Sequence, residues 1–287
     1  MGYPIVEGPY GLRPVNLIGG QVFAGSTRSL PIQYNYATNI FFGDFVVLAS
    51  GFITRAAITN ASSGNIYMGV FLGCSYTSPV TGQKLFSQNY PAGTAAGDIQ
   101  AIVCDDPDTV FRCAVVTTQG GTTIGSGNLA TVGKNLVMSD LAGLATRIAN
   151  GSSRNAVLAP TTTPVTTSLP IRIIDVVRDT ATSVSAIGSS STTTITLTSP
   201  GLPSAIVSGT DVGYLDANGQ LIQTGSYVNN ASGYAAGATS ITINATIAVP
   251  GSITAIPSSS TIVFTQYPEV LVKLQFGNQS YYTATGA

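Results

Sequence analysis

The chain has 287 residues, of which only 8% are charged, with a net charge of −1 and no histidine; average globular chains carry about 25% charged residues. Without a basic stripe nucleic acid is not expected as a partner, and no apolar run approaches the roughly 18 residues that a membrane helix needs. The lack of histidine removes the Ser-His and Cys-His pairs together with the commonest general base and metal ligand.

Residues 1–36 read as an extended arm. Pro4, Pro9, Pro14 and Pro31 fix φ and remove donors, and "EGPYG" and "IGG" break any helix. Tyr3, Tyr10, Leu12, Val15, Leu17, Val22 and Phe23 give the arm apolar side chains, so it needs something to pack on, either its own domain or a neighbour. Its first fifteen residues lack the basic and apolar regions of a secretory signal.

From 40 to about 120 the signals are short strands: "IFFGDFVVLA" with a turn at Gly43-Asp44, then "NIYMGVFLGCSY", "DIQAIVC" and "TVFRCAVVTT". Each is rich in β-branched or aromatic residues and bounded by Gly, Pro, Asn or Asp. Strands at this spacing predict a small barrel or sandwich. A short helix is expected within 121–160, with Ser139 or Asp140 as its N-cap and Gly151 beyond its end. "PTTTPVTTSLP" is a stiff connector, and "IRIIDVVRD" at 171–179 is a strand.

The composition then changes. Residues 180–264 contain no Lys or Arg, two acids (Asp211 and Asp216), and 29 Ser or Thr among 85 positions. Two stretches share a layout, "TTTITLTSPGLPSAIVSGTDVGYL" and "ATSITINATIAVPGSITAIPSSSTIVFT", each a Thr/Ile strand, a Pro-containing stretch, a turn and a second strand. Alternation in Thr194-Ile195-Thr196-Leu197 and Ser240-Ile241-Thr242-Ile243 puts apolar residues on one face. Asn218-Gly219 marks a hairpin turn. The region 180–265 therefore reads as a second, sandwich-like all-β module. It is inserted between "IRIIDVV" and the half-buried strand "EVLVKLQF", which are expected to pair. The first body then comprises 37–179 plus 266–287.

Three acids crowd "CDDPDTVFRC" at 104–113. Asp before Pro starts turns, and Asp side chains bond their own backbone two residues on, so Asp105, Asp106 and Asp108 read first as a turn. A calcium loop needs six to eight oxygen ligands and normally a glycine. A glycosidase pair needs a sugar cleft around it, and the chain shows no other part of one. Three cysteines without a CxxC predict neither a disulfide framework nor a zinc site; Cys104 and Cys113 read as buried small apolar residues. "GSGNLATVGK" lacks the spacing of a phosphate-binding loop. Tyr34, Tyr36, Tyr227, Tyr234, Tyr281 and Tyr282 could line a contact surface or rim the sheets. No catalytic residue, cofactor or metal is expected.

Several stretches stand in a shared order: "GLRPVNLIGGQVFAGSTRSLPI", "FFGDFVVLASG", "IYMGVFLGC", "VCDDPDTVF", "LPIRIIDVVRD" and "VLVKLQFGNQSYYTATG". In that order the chain resembles head decoration (cement) proteins of tailed bacteriophages, over roughly 1–179 and 266–287 and not over the inserted module. Asn278 or Gln279 stands where the family has a histidine. The resemblance implies a mainly β fold with a small barrel or β-tulip-like core and an N-terminal arm. It also implies a trimer on the outer surface of a viral head, stitching major capsid protein subunits together. On this reading Tyr3, Tyr10, Leu12, Arg13, Phe23 and Arg28 are the partner-binding residues, Arg13 and Arg28 pair acids on the shell, and removal of residues 1–20 leaves the β core folded. The alternative is a host-surface adhesin whose inserted module binds glycans; a hydrolase using Asp105 and Asp108 is a third reading.

Overall fold

A computed structural model describes the chain except for residues 1–5, 7, 57–66, 117–131, 141–150, 159–168, 178–181, 191–192, 203–204, 207, 216–220, 245–255, 259, 266 and 276–287. The described residues are all β, with no helix among them. The expected helix falls on residues 141–150, which lie outside them; of its two candidate N-caps, Ser139 ends a strand and Asp140 follows it.

The first sheet contains β2 (Arg28–Pro31), β3 (Phe45–Ala49), β4 (Phe52–Arg55), β5 (Gly69–Thr77), β6 (Lys84–Ser87) and β7 (Gln100–Cys104). Its order is β2-β7-β5-β3-β4, with β6 on the remaining length of β5. A bridge between Ile32 and Ile53 brings the two ends together, so the sheet curls into a nearly closed barrel. Inside it Ile40, Phe71, Tyr90, Ile99 and Val103 are buried.

The second sheet has the order β10-β11-β8-β19-β12-β9, with β1 also on β8. These are β1 (Arg13–Leu17), β8 (Thr109–Val116), β9 (Asn135–Leu136), β10 (Met138–Ser139), β11 (Ala156–Leu158), β12 (Ile171–Val177) and β19 (Glu269–Leu274). Its core is shared with the barrel: Leu12, Phe45, Tyr67, Val70, Phe111, Ile173 and Val272 form one cluster. The two sheets therefore make one body, called the base below.

The stretch read as an arm carries two strands of this base. β1 pairs antiparallel with β8, and β2 pairs with β7. Backbone passes close to backbone at Gly11 and Gly43, where Leu12 N–H donates to the Gly43 carbonyl at 3.1 Å. Both glycines have positive φ, and a Cβ on Gly11 would lie 2.8 Å from the Gly43 oxygen, so no side chain fits there.

β12 and β19 pair antiparallel as expected, with Val177 opposite Glu269. Everything between those two residues leaves and returns at one point of the base. Within it lie β13 (Thr182–Ser190), β14 (Thr194–Leu197), β15 (Asp211–Leu215), β16 (Leu221–Tyr227), β17 (Ser240–Thr242) and β18 (Thr261–Thr265), in the order β16-β15-β18-β13-β14-β17. A further bridge, Val228 to Ile243, joins the two ends. The insert is thus a six-stranded all-β unit whose two ends meet at that bridge. Its core is its own, formed by Ile195, Leu197, Val212, Tyr214, Val228, Ile241 and Phe264.

The repeat seen in the sequence extends one strand further back. β13-β14-β15 matches β16-β17-β18, and exchanging the two triplets leaves the strand order around the barrel unchanged. Self-equivalent strands pair about their own centres: Ile195 faces Ile241, and Gly213 faces Val263. The closing bridge Val228–Ile243 matches the pair Ile187–Leu197 in the other half. Neither half could bury its apolar face alone. Closure has a second consequence. Open sheets commonly guard their edges with lysine, which this segment lacks; a closed sheet has fewer edges to guard.

Candidate functional site

The predicted turn at 104–109 forms. Asp108 N–H donates to the Asp106 carboxylate at 2.9 Å, the two-residue pattern expected of Asp. The other two acids point elsewhere: Asp105 pairs with Arg28 at 2.6 Å, and Asp108 meets Lys273 at 3.4 Å. The three carboxylates are spent on three different partners and do not converge. Cys74, Cys104 and Cys113 are buried free thiols, and burial pushes Cys104 up to about 11 and Cys74 to about 12.

The buried acid that the sequence did not flag is Asp44. One of its oxygens accepts from Ser153 Oγ at 2.6 Å and Asn155 Nδ2 at 3.1 Å. The other accepts from Phe41 N–H and Arg55 Nε, each at 3.0 Å. Arg55 also reaches Asp140 at 2.6 Å. Burial works against the charge on Arg55, and Asp44 with Asp140 outweighs it, so its pKa rises. Such a fully bonded buried pair ties 41–44 to 153–155; it is a structural clamp between segments far apart in sequence.

Of the residues expected to touch a partner, Tyr3 lies outside the described residues. Leu12 is 1% exposed and sits in the core of the base. Tyr10 donates its hydroxyl to Glu269, and burial, reinforced by that carboxylate, pushes its pKa far above the usual tyrosine range. Phe23 is half-buried against the same core as Leu12. Arg28 is paired with Asp105 of its own chain, with its side chain still 48% exposed. Tyr10 and Leu12 spend their contacts on their own domain, and Phe23 and Arg28 do so in part.

Arg13 is different. It is exposed, and its guanidinium carbon lies 5.0 Å from the Tyr10 ring centre and 5.4 Å from that of Phe42. Beyond it the chain folds back in a hairpin. Asn16 bridges Val22, Leu17 N–H donates to the Gln21 carbonyl, and Ile18 N–H donates to the Asp108 carbonyl on the acidic turn. This hairpin exposes Val15 at 44%, Ile18 at 46% and Val22 at 80%. A second apolar prominence stands on the β5–β6 hairpin, where Val80 and Phe86 are exposed. Ile18, Phe42, Val80 and Phe86 were not singled out from the sequence. Exposure of a turn residue has no periodic signature, though "GG" at 19–20, with Ile18 before it and Val22 two residues after it, hints at a projecting hairpin.

Comparison of the chain with protein-family models, with curated proteins and with solved structures finds no match. The surface itself must carry any functional argument. Among the described residues, every exposed large apolar side chain except Tyr227 belongs to the base, and every ion pair lies there too. The described surface of the insert mixes hydroxyl and amide side chains with small residues such as Ala205, Ala231, Ala235 and Ala236. No three His, Cys, Asp or Glu among the described residues converge as a metal site would require.

Proposed function

We propose that this chain is a structural virion protein that binds the outer surface of a bacteriophage head and stabilises it, as a trimer, with the base on the shell and the inserted barrel pointing outward. The single observation that carries this reading is the division of the surface: apolar hairpins at 14–22 and 78–87 on the base, and a hydroxyl-rich insert without lysine or arginine. Apolar protrusions of this kind on an otherwise soluble body mark contact surfaces. The low charge supports the same reading, because little desolvation opposes burial against a partner. The order of motifs in which the chain resembles head decoration proteins favours the major capsid protein as the partner.

The mechanism is thermodynamic. A ligand that binds the intact shell and not its dissociated subunits stabilises the shell by mass action, and a trimer multiplies the effect through effective concentration. The test is sedimentation of purified protein with undecorated empty heads, followed by heating. The expected result is saturable co-sedimentation and a higher temperature of shell disruption. Protein that stays in the supernatant at every shell concentration contradicts the reading.

A further inference from the structure

β1 and β8 set two arginines directly opposite each other, Arg13 facing Arg112. Like charges so placed repel. Among the described residues the carboxylate bonded into this cluster is Glu269, which is 2% exposed and already engaged by Arg112 and by the Tyr10 hydroxyl. The cluster of Arg13, Arg112 and Glu269 therefore holds one positive charge in excess, and the excess sits at the surface on Arg13. No ion pair among the described residues involves Arg13. The Tyr10 and Phe42 rings hold its guanidinium through their faces. Rings fix the position of a cation without neutralising it, and they leave its N–H donors free. The same hairpin carries the exposed Val15, Ile18 and Val22.

A pre-positioned cation, its own acid taken, beside an apolar rim is complementary to one kind of surface. We propose that Arg13 is the specificity-determining contact of the shell-binding face, and that the partner protein offers it an Asp or Glu carboxylate set among apolar side chains. This rests on the shell-binding reading above. On docking, the guanidinium edge takes the carboxylate in a two-pronged pair while Val15, Ile18 and Val22 exclude water, so the pair forms in a drier medium than either surface had alone. Lysine would not replace Arg13, because an ammonium neither stacks flat on a ring nor donates as a planar fork.

The experiment compares wild-type protein with Arg13→Gln and Arg13→Lys for dissociation from undecorated heads, and repeats the wild-type measurement on heads whose carboxylates have been capped with carbodiimide and an amine. Removing one side of a desolvated charge pair is expected to speed dissociation about thirtyfold or more. Arg13→Gln should show that loss, Arg13→Lys should also be weakened, and capped heads should bind wild type no better than uncapped heads bind Arg13→Gln. Arg13→Gln should melt at or above the wild-type temperature, since it removes the like charge facing Arg112; Arg13→Lys keeps that charge and should melt close to wild type. Wild-type residence for Arg13→Gln overturns the inference and leaves the shell-binding reading standing; so does a large drop in its melting temperature, which would make Arg13 a structural residue. Wild-type protein that fails to bind uncapped heads overturns the shell-binding reading and this inference with it.

Discussion

The Tyr10 hydroxyl donates to the Glu269 carboxylate, joining residues 259 apart in sequence. This bond fastens the N-terminal segment to the strand that follows the insert, and Arg112 completes the arrangement on the other side of the same carboxylate. Tyr10→Phe should destabilise the base by about 1.5–3 kcal/mol, the range for a hydrogen bond to a charged group. The effect should depend on pH. Tyr10 is raised in the folded state, so its contribution is complete below the unfolded tyrosine value near 10 and is lost as pH rises above it. Chemical denaturation at pH 8 and pH 11 checks this: wild type should lose more stability than Tyr10→Phe over that interval.

Removal of residues 1–20 should unfold or aggregate the base, in contrast to the expectation drawn from the sequence. The cut takes away β1, the buried Leu12 and the Tyr10–Glu269 bond together. Burial of one leucine alone is worth about 2 kcal/mol, and the loss of β1 opens an edge on β8. Circular dichroism and size-exclusion chromatography of the truncated chain would show a soluble, wild-type-like β spectrum only if this account of the segment is wrong. Shell-binding tests are better made with the point variants of Arg13.

The insert should be removable. Val177 and Glu269 are cross-strand neighbours, so their Cα atoms are about 5 Å apart, and a short Gly/Ser hairpin can replace everything between them. The shortened chain should fold, retain the melting behaviour of the base, and bind heads as wild type does. Segment 180–266 expressed alone should give a folded, monomeric β protein, since its core is separate from that of the base. Loss of base folding on excision would contradict the division into two bodies.

The three thiols should be silent in the native protein. All are buried and pushed upward in pKa by burial, and reactivity follows the exposed thiolate. A thiol-reactive dye at pH 8 should label none of them without denaturant and all of them with it. Rapid labelling of folded protein would show that a core strand opens locally.

Much of the fold is legible in the sequence because its strands announce themselves by alternation. Ile195, Leu197, Ile241 and Ile243 are buried and the hydroxyl residues Thr196, Ser240 and Thr242 between them are exposed. The pairing of "IRIIDVV" with "EVLVKL" follows from composition resuming after the insert. The Asp105–Asp108 turn is legible because its chemistry is local. What the sequence hides is long-range. Nothing near Asp44 predicts that Arg55, Ser153 and Asn155 will close around it, and proline spacing at 4, 9, 14 and 31 looks the same whether the segment lies on its own domain or on another. The barrel closure between Val228 and Ile243 is equally silent, since one bridge leaves no pattern in the sequence. Of the candidate contact residues, apolar character alone cannot separate Leu12, which is inward, from Val22, which is outward; the turn at 18–20 decides it.

Cryo-electron microscopy of empty phage heads saturated with this protein decides whether the base docks on the shell. The account predicts density at three-fold positions of the outer surface, with the hairpin at 14–22 against the major capsid protein and the six-stranded insert furthest from the shell. Heads that remain bare, or density with the insert against the shell and the base exposed, would contradict it.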